Sequence, residues 1–242
     1  MMKQRLGKGL FNTVRTARQS VRGLAMAAVS AALMSASALS FGAAAVSSEY
    51  LVEAPVNLQD KVSLQNGAQI FVNNCLGCHS GRFMRYQRVA EDLGIPEAIA
   101  AENFLVGNAK IGDTMHSNLT DADSKKWFGA PPPDLSLTAR LRGADWVYSY
   151  LIGFYADESR PWGYNNHIFD KVGMPHVLEG MERSLGEEGF KSAMADLTNF
   201  MVYMSEPIQM ERQRLGVWVL LFIAIFTVFA YALGKEYWRD VK

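Results

Sequence analysis

The sequence predicts an all-α domain with long loops, exported from the cytoplasm and tethered by one C-terminal transmembrane helix. Three observations predict it. Apolar residues in the interior recur at helical spacing, Val, Ile and Thr are not arranged in the period-two runs that strands need, and an uncharged apolar run stretches from Leu215 to Gly234. With 242 residues and 49% apolar content the chain can bury a substantial core.

The first element is an export leader. Lys3, Arg5, Lys8, Arg15, Arg18 and Arg22 are followed by the Ala/Ser/Leu-rich run LAMAAVSAALMSASALSFG and then by Ala43-Ala44-Ala45, a small-residue cleavage site. Removal is favoured over retention as an anchor, because Ala and Ser make a weakly hydrophobic span. The formal net charge is zero, yet residues 1–45 hold six basic groups and no acid, leaving 18 basic against 24 acidic residues in the rest. That acidic remainder favours a basic partner and argues against nucleic acid.

Three helices are expected between the hydrophobic ends. Leu64, Ala68, Phe71 and Cys75 suggest one running into CLGCHS, with Gly67 permitting close approach of another helix. Residues 142–155, RGADWVYSYLIGFY, form a second candidate. Phe190, Ala193, Met194, Leu197, Phe200, Met201 and Met204 mark an amphipathic third, stopped by Pro207. Residues 80–135 and 156–189 remain as turn-rich segments, more loop than a core alone requires and suited to wrapping a cofactor. The Leu215–Gly234 run would span about 30 Å as a helix, with Tyr231, Tyr237 and Trp238 at its far end as an aromatic belt. Flanking charges orient it only weakly, so export of the N-terminal part places the main domain outside.

Cys75 and Cys78 are the two cysteines of the chain, three apart, with His79 directly behind. A disulfide here would close a very small loop and stabilise little. A thioredoxin-like pair needs a strand–helix–strand context that is not found, and a zinc site lacks partners at ligand spacing among His116, His167 and His176. Cys-x-x-Cys-His is the attachment sequence of c-type haem, in which two thiols add to the porphyrin vinyl groups and the adjacent imidazole reaches the iron. Export agrees with it. For the second axial position Met174 stands out from the core methionines, since Gly173 and Pro175 hold it in an extended loop. His176 is its rival, and a His/His pair would lower the reduction potential relative to His/Met.

At this point the chain resembles the cytochrome c1 family, the haem subunits of cytochrome bc1 complexes. CLGCHS followed by FMRY, then APPPDLSLTARLRGADWVYSYLIGFY, then VGMPHVL, then a helix ending in SEP before one C-terminal span, follow that family's order of blocks. The resemblance implies a class I-like c-type cytochrome domain with haem-wrapping loops, covalent attachment at Cys75 and Cys78, and axial ligation by His79 and Met174. It further implies haem packing by Pro131, Pro132 and Pro133, and a propionate held by an arginine, for which Arg142 matches best and Arg140 second. A guanidinium suits that role because it stays charged and grips a carboxylate at two points. Trp146 follows Asp145 where the family often has Tyr; an indole donates but cannot accept a hydrogen bond, which alters any propionate contact there. The linker between Arg142 and Asp145 is also shorter than in many animal members.

The domain expectation is a signal peptide over 1–45, a periplasmic cytochrome c domain over 46–210, an anchor over 211–236 and a cytoplasmic tail over 237–242, in a bacterial inner membrane. By resemblance the chain has no catalysis of its own. It relays electrons from a Rieske iron–sulfur subunit, beside cytochrome b, through one haem c to a cytochrome c acceptor, in a complex expected to be dimeric. Glu179, Glu182, Glu187 and Glu188 are a candidate docking patch for a basic carrier. A freestanding tethered shuttle and a haem enzyme or gas sensor with an open coordination position are the rival readings.

Overall fold

The computed structural model describes residues 48–241. The expected signal peptide lies outside them. After a 3₁₀ turn at Ser48–Tyr50 come α1 (Lys61–Ile70), a π-helical turn (Phe71–Cys75), β1 (Gly81–Arg85), α2 (Tyr86–Leu93), α3 (Glu97–Phe104), β2 (Thr114–Met115) and α4 (Asp121–Phe128). The second half holds α5 (Thr138–Arg142), α6 (Ala144–Ile152), β3 (Phe154–Ala156), β4 (Tyr164–Asn166), α7 (Glu179–Ser205) and α8 (Gln209–Tyr237). The domain is mainly helical, as predicted. The strands make two small antiparallel pairs, β1 with β2 and β3 with β4, which the absence of period-two patterning did not foretell.

The core is built where α1 crosses α7. Asp60 caps α1 by accepting from the amides of Val62 and Ser63, at 3.0 and 3.1 Å. Leu64, Ala68 and Phe71 then turn inward against Met194, Leu197 and Phe200, with the Phe71 and Phe200 rings 5.4 Å apart. The backbones meet at Gly67, where a Cβ would lie 2.0 Å from the Asp196 carbonyl oxygen. A polar seam edges this contact: Ser63 Oγ donates to Asp196 Oδ1 (2.6 Å), and Asn199 donates to Ser63 Oγ (2.7 Å) while accepting from the Asn57 amide (2.8 Å).

Two sequence-based boundaries move. Residues 80–135 carry three helices rather than continuous loop. Tyr86, Val89, Ala90 and Leu93 bury one face of α2, Gly94 ends it at φ 72°, and Thr120 caps α4 through the Asp123 amide. The third helix extends N-terminally beyond Phe190 to Glu179, but Gly186, at φ 67°, breaks α7 into a short first piece and a long second one.

The helix covering the expected anchor is α8, whose apolar side chains are exposed from Leu215 to Leu233. Among the described residues it alone is long and apolar enough to cross a membrane. Exposed apolar surface of this length has no stable place in water.

The Gly67 contact generates a prediction. Gly67→Ala should destabilise the domain by about 1–3 kcal/mol through overpacking. Gly180→Ala, with nothing within 4 Å of the added carbon, should stay within about 0.5 kcal/mol of the parent; denaturant unfolding of both variants checks the difference.

Candidate functional site

The π-helical turn delivers the Cys-x-x-Cys-His stretch. The amide of Leu76 reaches back to the Phe71 carbonyl at 3.0 Å, and those of Cys78 and His79 both reach the Cys75 carbonyl, at 3.1 and 2.8 Å. Fully buried Leu76 roots the loop. Its rim is tied to the chain around Ser117, whose Oγ donates to the Gly77 carbonyl (2.8 Å) and whose amide donates to Ser80 Oγ (2.9 Å). Both cysteines are free and half-buried. Burial, with a smaller contribution from Cys78, pushes the Cys75 thiol up to about 12.

His79 leans on the proline segment. Its Nδ1 lies 2.8 Å from the Pro133 carbonyl oxygen. A carbonyl only accepts, so Nδ1 carries the hydrogen and Nε2 keeps its lone pair for a metal. Burial lowers the imidazole pKa, with the Pro133 bond and Asp134 opposing, which favours the neutral, ligating form. Around this bond the Leu135 amide donates to the Ser80 carbonyl (2.8 Å), the Arg82 amide to Asp134 (3.0 Å) and the Phe83 amide to Ser136 Oγ (3.1 Å). Pro132 and Pro133 are therefore fixed beside the turn, Pro133 by its carbonyl.

The same segment continues into α5 and α6. The two candidate arginines part there. Arg140 pairs with Glu206 at 2.6 Å, and Glu206 also takes Arg212 at 2.5 Å. Arg142 joins no ion pair among the described residues, and its guanidinium lies 5.2 Å over the Trp146 ring. Asp145 turns away to accept from the Ala54 amide at 2.8 Å. Four-residue spacing then stacks an aromatic column: Trp146 lies parallel to Tyr150 (5.1 Å, 11°), and Tyr150 meets Phe154 edge-on (5.4 Å, 75°).

Met174 meets this column. Tyr150 donates its hydroxyl hydrogen to the Met174 sulfur at 3.4 Å, and burial raises the phenol pKa, keeping it a donor. The methionine loop is braced by Arg160, which donates to the Val172 carbonyl (3.0 Å), and by Asn165, which accepts from the Val172 amide (3.4 Å). Asn166 donates to the Tyr150 carbonyl at 2.8 Å. The rival ligand, His176, is engaged elsewhere. Its ring stacks on Phe154 at 4.6 Å and 11°, touches Tyr164 and Phe190 by its edges, and donates from Nε2 to Glu182 at 2.8 Å.

These residues fit a c-type haem. Two thiols and a metal-ready imidazole nitrogen share one turn, a thioether sits on a half-buried loop, and an uncommitted guanidinium ends the aromatic column. The structure brings His79 to Pro133, and Met174 to the Trp146–Tyr150 stack beneath Arg142; it draws Arg140 off towards α8. An open polar cavity of about 720 Å³ beside β2, lined by Arg85, Asp113, His116 and Asn118 among others, includes none of the predicted site residues. Sequence reasoning missed Tyr150, Arg160, Asn165, Asn166 and the bracing role of His176. Only the four-residue register of Arg142, Trp146, Tyr150 and Phe154 carried a signal for any of them.

The Cytochrome C1 family model matches residues 50–241. The chain is similar to cytochrome c1 of Allochromatium vinosum, 46% identical over 80% of this chain and 90% of that protein. It is also 42% identical to a protein named ammonia monooxygenase gamma subunit in Nitrosomonas europaea, over 79% and 88% of the two chains. A Bradyrhizobium diazoefficiens protein named cytochrome b/c1 is 25% identical over 95% of this chain and 42% of its own length.

The Arg140–Glu206–Arg212 cluster yields a pH prediction. Arg212 first, then Arg140, hold the Glu206 carboxyl below the usual carboxylate range. A depressed folded pKa contributes stability that is present above the unfolded value and is lost as pH falls through the folded one. Glu206→Gln should therefore lower the thermal unfolding midpoint at pH 7, and the gap to the parent should close on acidification below the carboxylate range.

Proposed function

Because the chain belongs to the cytochrome C1 family, whose members are electron-transfer subunits of bc1 complexes and carry a covalent haem c, we propose that Cys75 and Cys78 hold that haem by thioether bonds. His79 and Met174 ligate its iron, Pro132, Pro133 and Trp146 line it, and Arg142 binds a propionate. The hydrogen bond from His79 Nδ1 to Pro133 carries this reading, because it frees Nε2 inside an attachment sequence and fixes the ring's orientation. When bound, haem c supplies reversible one-electron exchange.

The chain's own residues make that exchange useful. With His79 and Met174 both holding the iron, no position would be open to oxygen or peroxide, and the neutral thioether of Met174 would keep the potential high enough to accept from a Rieske centre. The electron comes from the Rieske iron–sulfur subunit during quinol oxidation and leaves to a soluble or tethered cytochrome c. Residues 46–210 form the redox domain on the periplasmic side, 211–236 the anchor beside cytochrome b, and 237–242 a cytoplasmic tail, within a dimeric complex. The Glu179–Glu188 patch would be the docking surface for a basic carrier, its carboxylates exposed and held in place by Arg183 on Glu179, Lys191 on Glu187 and Glu188, and His176 on Glu182.

A second reading follows from the relative named ammonia monooxygenase gamma subunit. The same redox domain and anchor would then serve a monooxygenase assembly. Mild detergent extraction of native membranes separates the two. The bc1 reading expects a dihaem b cytochrome and a Rieske centre at equal amounts with this chain, and quinol reduction of its haem that stops when the Rieske subunit is removed. Recovery with monooxygenase subunits and no b cytochrome would reverse the assignment.

A further inference from the structure

Tyr150 has a hydroxyl whose one hydrogen-bond partner among the described residues is the Met174 sulfur, at 3.4 Å. A thioether is a weak acceptor, so a phenol reaches it by being placed there. The placement is threefold. Trp146 lies flat against one face of the Tyr150 ring, Phe154 abuts it edge-on, and Asn166 ties down the Tyr150 carbonyl. The loop on the other side is braced independently, by Arg160 and Asn165 on Val172 and by the stacked, buried ring of His176. Donor and acceptor thus come from two separately anchored elements.

We propose that Tyr150 is a positioning residue for the methionine ligand, its hydroxyl drawing electron density from the Met174 sulfur and thereby raising the haem's reduction potential. The inference rests on Met174 being an axial ligand, as proposed above. Hydrogen bonding to a ligand atom is a recognised control on the metal it serves. A less electron-rich Met174 sulfur would donate less to the iron, and this loss would cost the electron-poor ferric state more than the ferrous one, so the reduced state would gain. The same bond would hold the thioether in place when haem is bound.

The test is Tyr150→Phe in the full chain, within its native complex. The ring stays for Trp146 and Phe154 to pack on; only the hydroxyl goes. A net hydrogen bond of ordinary strength corresponds to a three- to tenfold smaller reduction equilibrium constant, a fall of roughly 30–60 mV at 59 mV per tenfold. The methionine–iron charge-transfer band should persist. A purely structural role would lower the melting temperature and leave the potential in place, so an unchanged potential with that band intact overturns the proposal. Should the variant not accumulate, resonance Raman of the parent complex decides: an iron–sulfur stretch that shifts in D₂O supports the bond, and an insensitive one overturns it. Failure of the underlying reading looks different, since a normal spectrum after Met174→Leu removes the ligand itself.

Discussion

The bond from His79 Nδ1 to the Pro133 carbonyl is the constraint on which the rest of the site depends. It sets the tautomer, leaving Nε2 as a free donor atom, and it stops the ring from rotating about its side-chain bonds. It also joins two stretches 54 residues apart in sequence, the attachment turn and the proline segment. Proline is well suited to the second role. Its fixed φ narrows the conformations of the Pro131–Pro133 run, so the carbonyl is already oriented before the imidazole meets it. The hydrogen bonds from the Leu135 amide to the Ser80 carbonyl and from the Arg82 and Phe83 amides to the side chains of Asp134 and Ser136 repeat the connection.

From that point the chain passes with little slack into the Trp146–Tyr150 column. Asp134 to Phe154 contains two short helices, and Gly143, at φ 92°, makes the turn between them without the penalty a side chain would impose. The fold therefore uses one continuous segment to hold the histidine at one end and the Trp146–Tyr150 column, with Met174, at the other. Electron transfer without bond rearrangement favours such rigidity, because geometry shared by both oxidation states keeps the reorganisation between them small. The α1–α7 crossing serves the same end. It anchors the helix that delivers Cys75, and its closeness depends on Gly67 having no side chain.

How much of this was legible in the sequence follows from the physics of each signal. Helical periodicity and an uncharged 20-residue run are properties of a single segment, and both were readable. Cys75, Cys78 and His79 could be singled out because haem attachment demands those residue types at close spacing, and Met174 because Gly173 and Pro175 flank it. The helices at 86–93 and 121–128 were missed although Gly94 and the Thr120 cap mark their ends; each is eight residues, too short for periodicity to dominate over the turn residues around it. The separation of Arg140 from Arg142 depends on Glu206, 66 residues beyond Arg140, and no local pattern carries that. Asn165 and Asn166 look like ordinary turn residues until the loop closes and their amides become buried partners of Val172 and Tyr150.

Under the proposed ligation, His176 and Met174 are two chemically able ligands two residues apart, and the surroundings of His176 favour Met174. Imidazole binds iron more strongly than a thioether, so leaving His176 free would invite it into the site. The fold removes it by enclosure. Its ring lies parallel to Phe154 and edge-on to Tyr164 and Phe190, and Nε2–H is committed to Glu182. Nδ1 is then left buried with no partner, a loss of about 1–3 kcal/mol by the usual reckoning. Aromatic stacking on three sides offsets part of that, at about 0.5–1.5 kcal/mol for each well-placed pair. The unsatisfied nitrogen is thus the cost of making His176 the wedge that braces the loop carrying Met174, whose sulfur accepts from Tyr150.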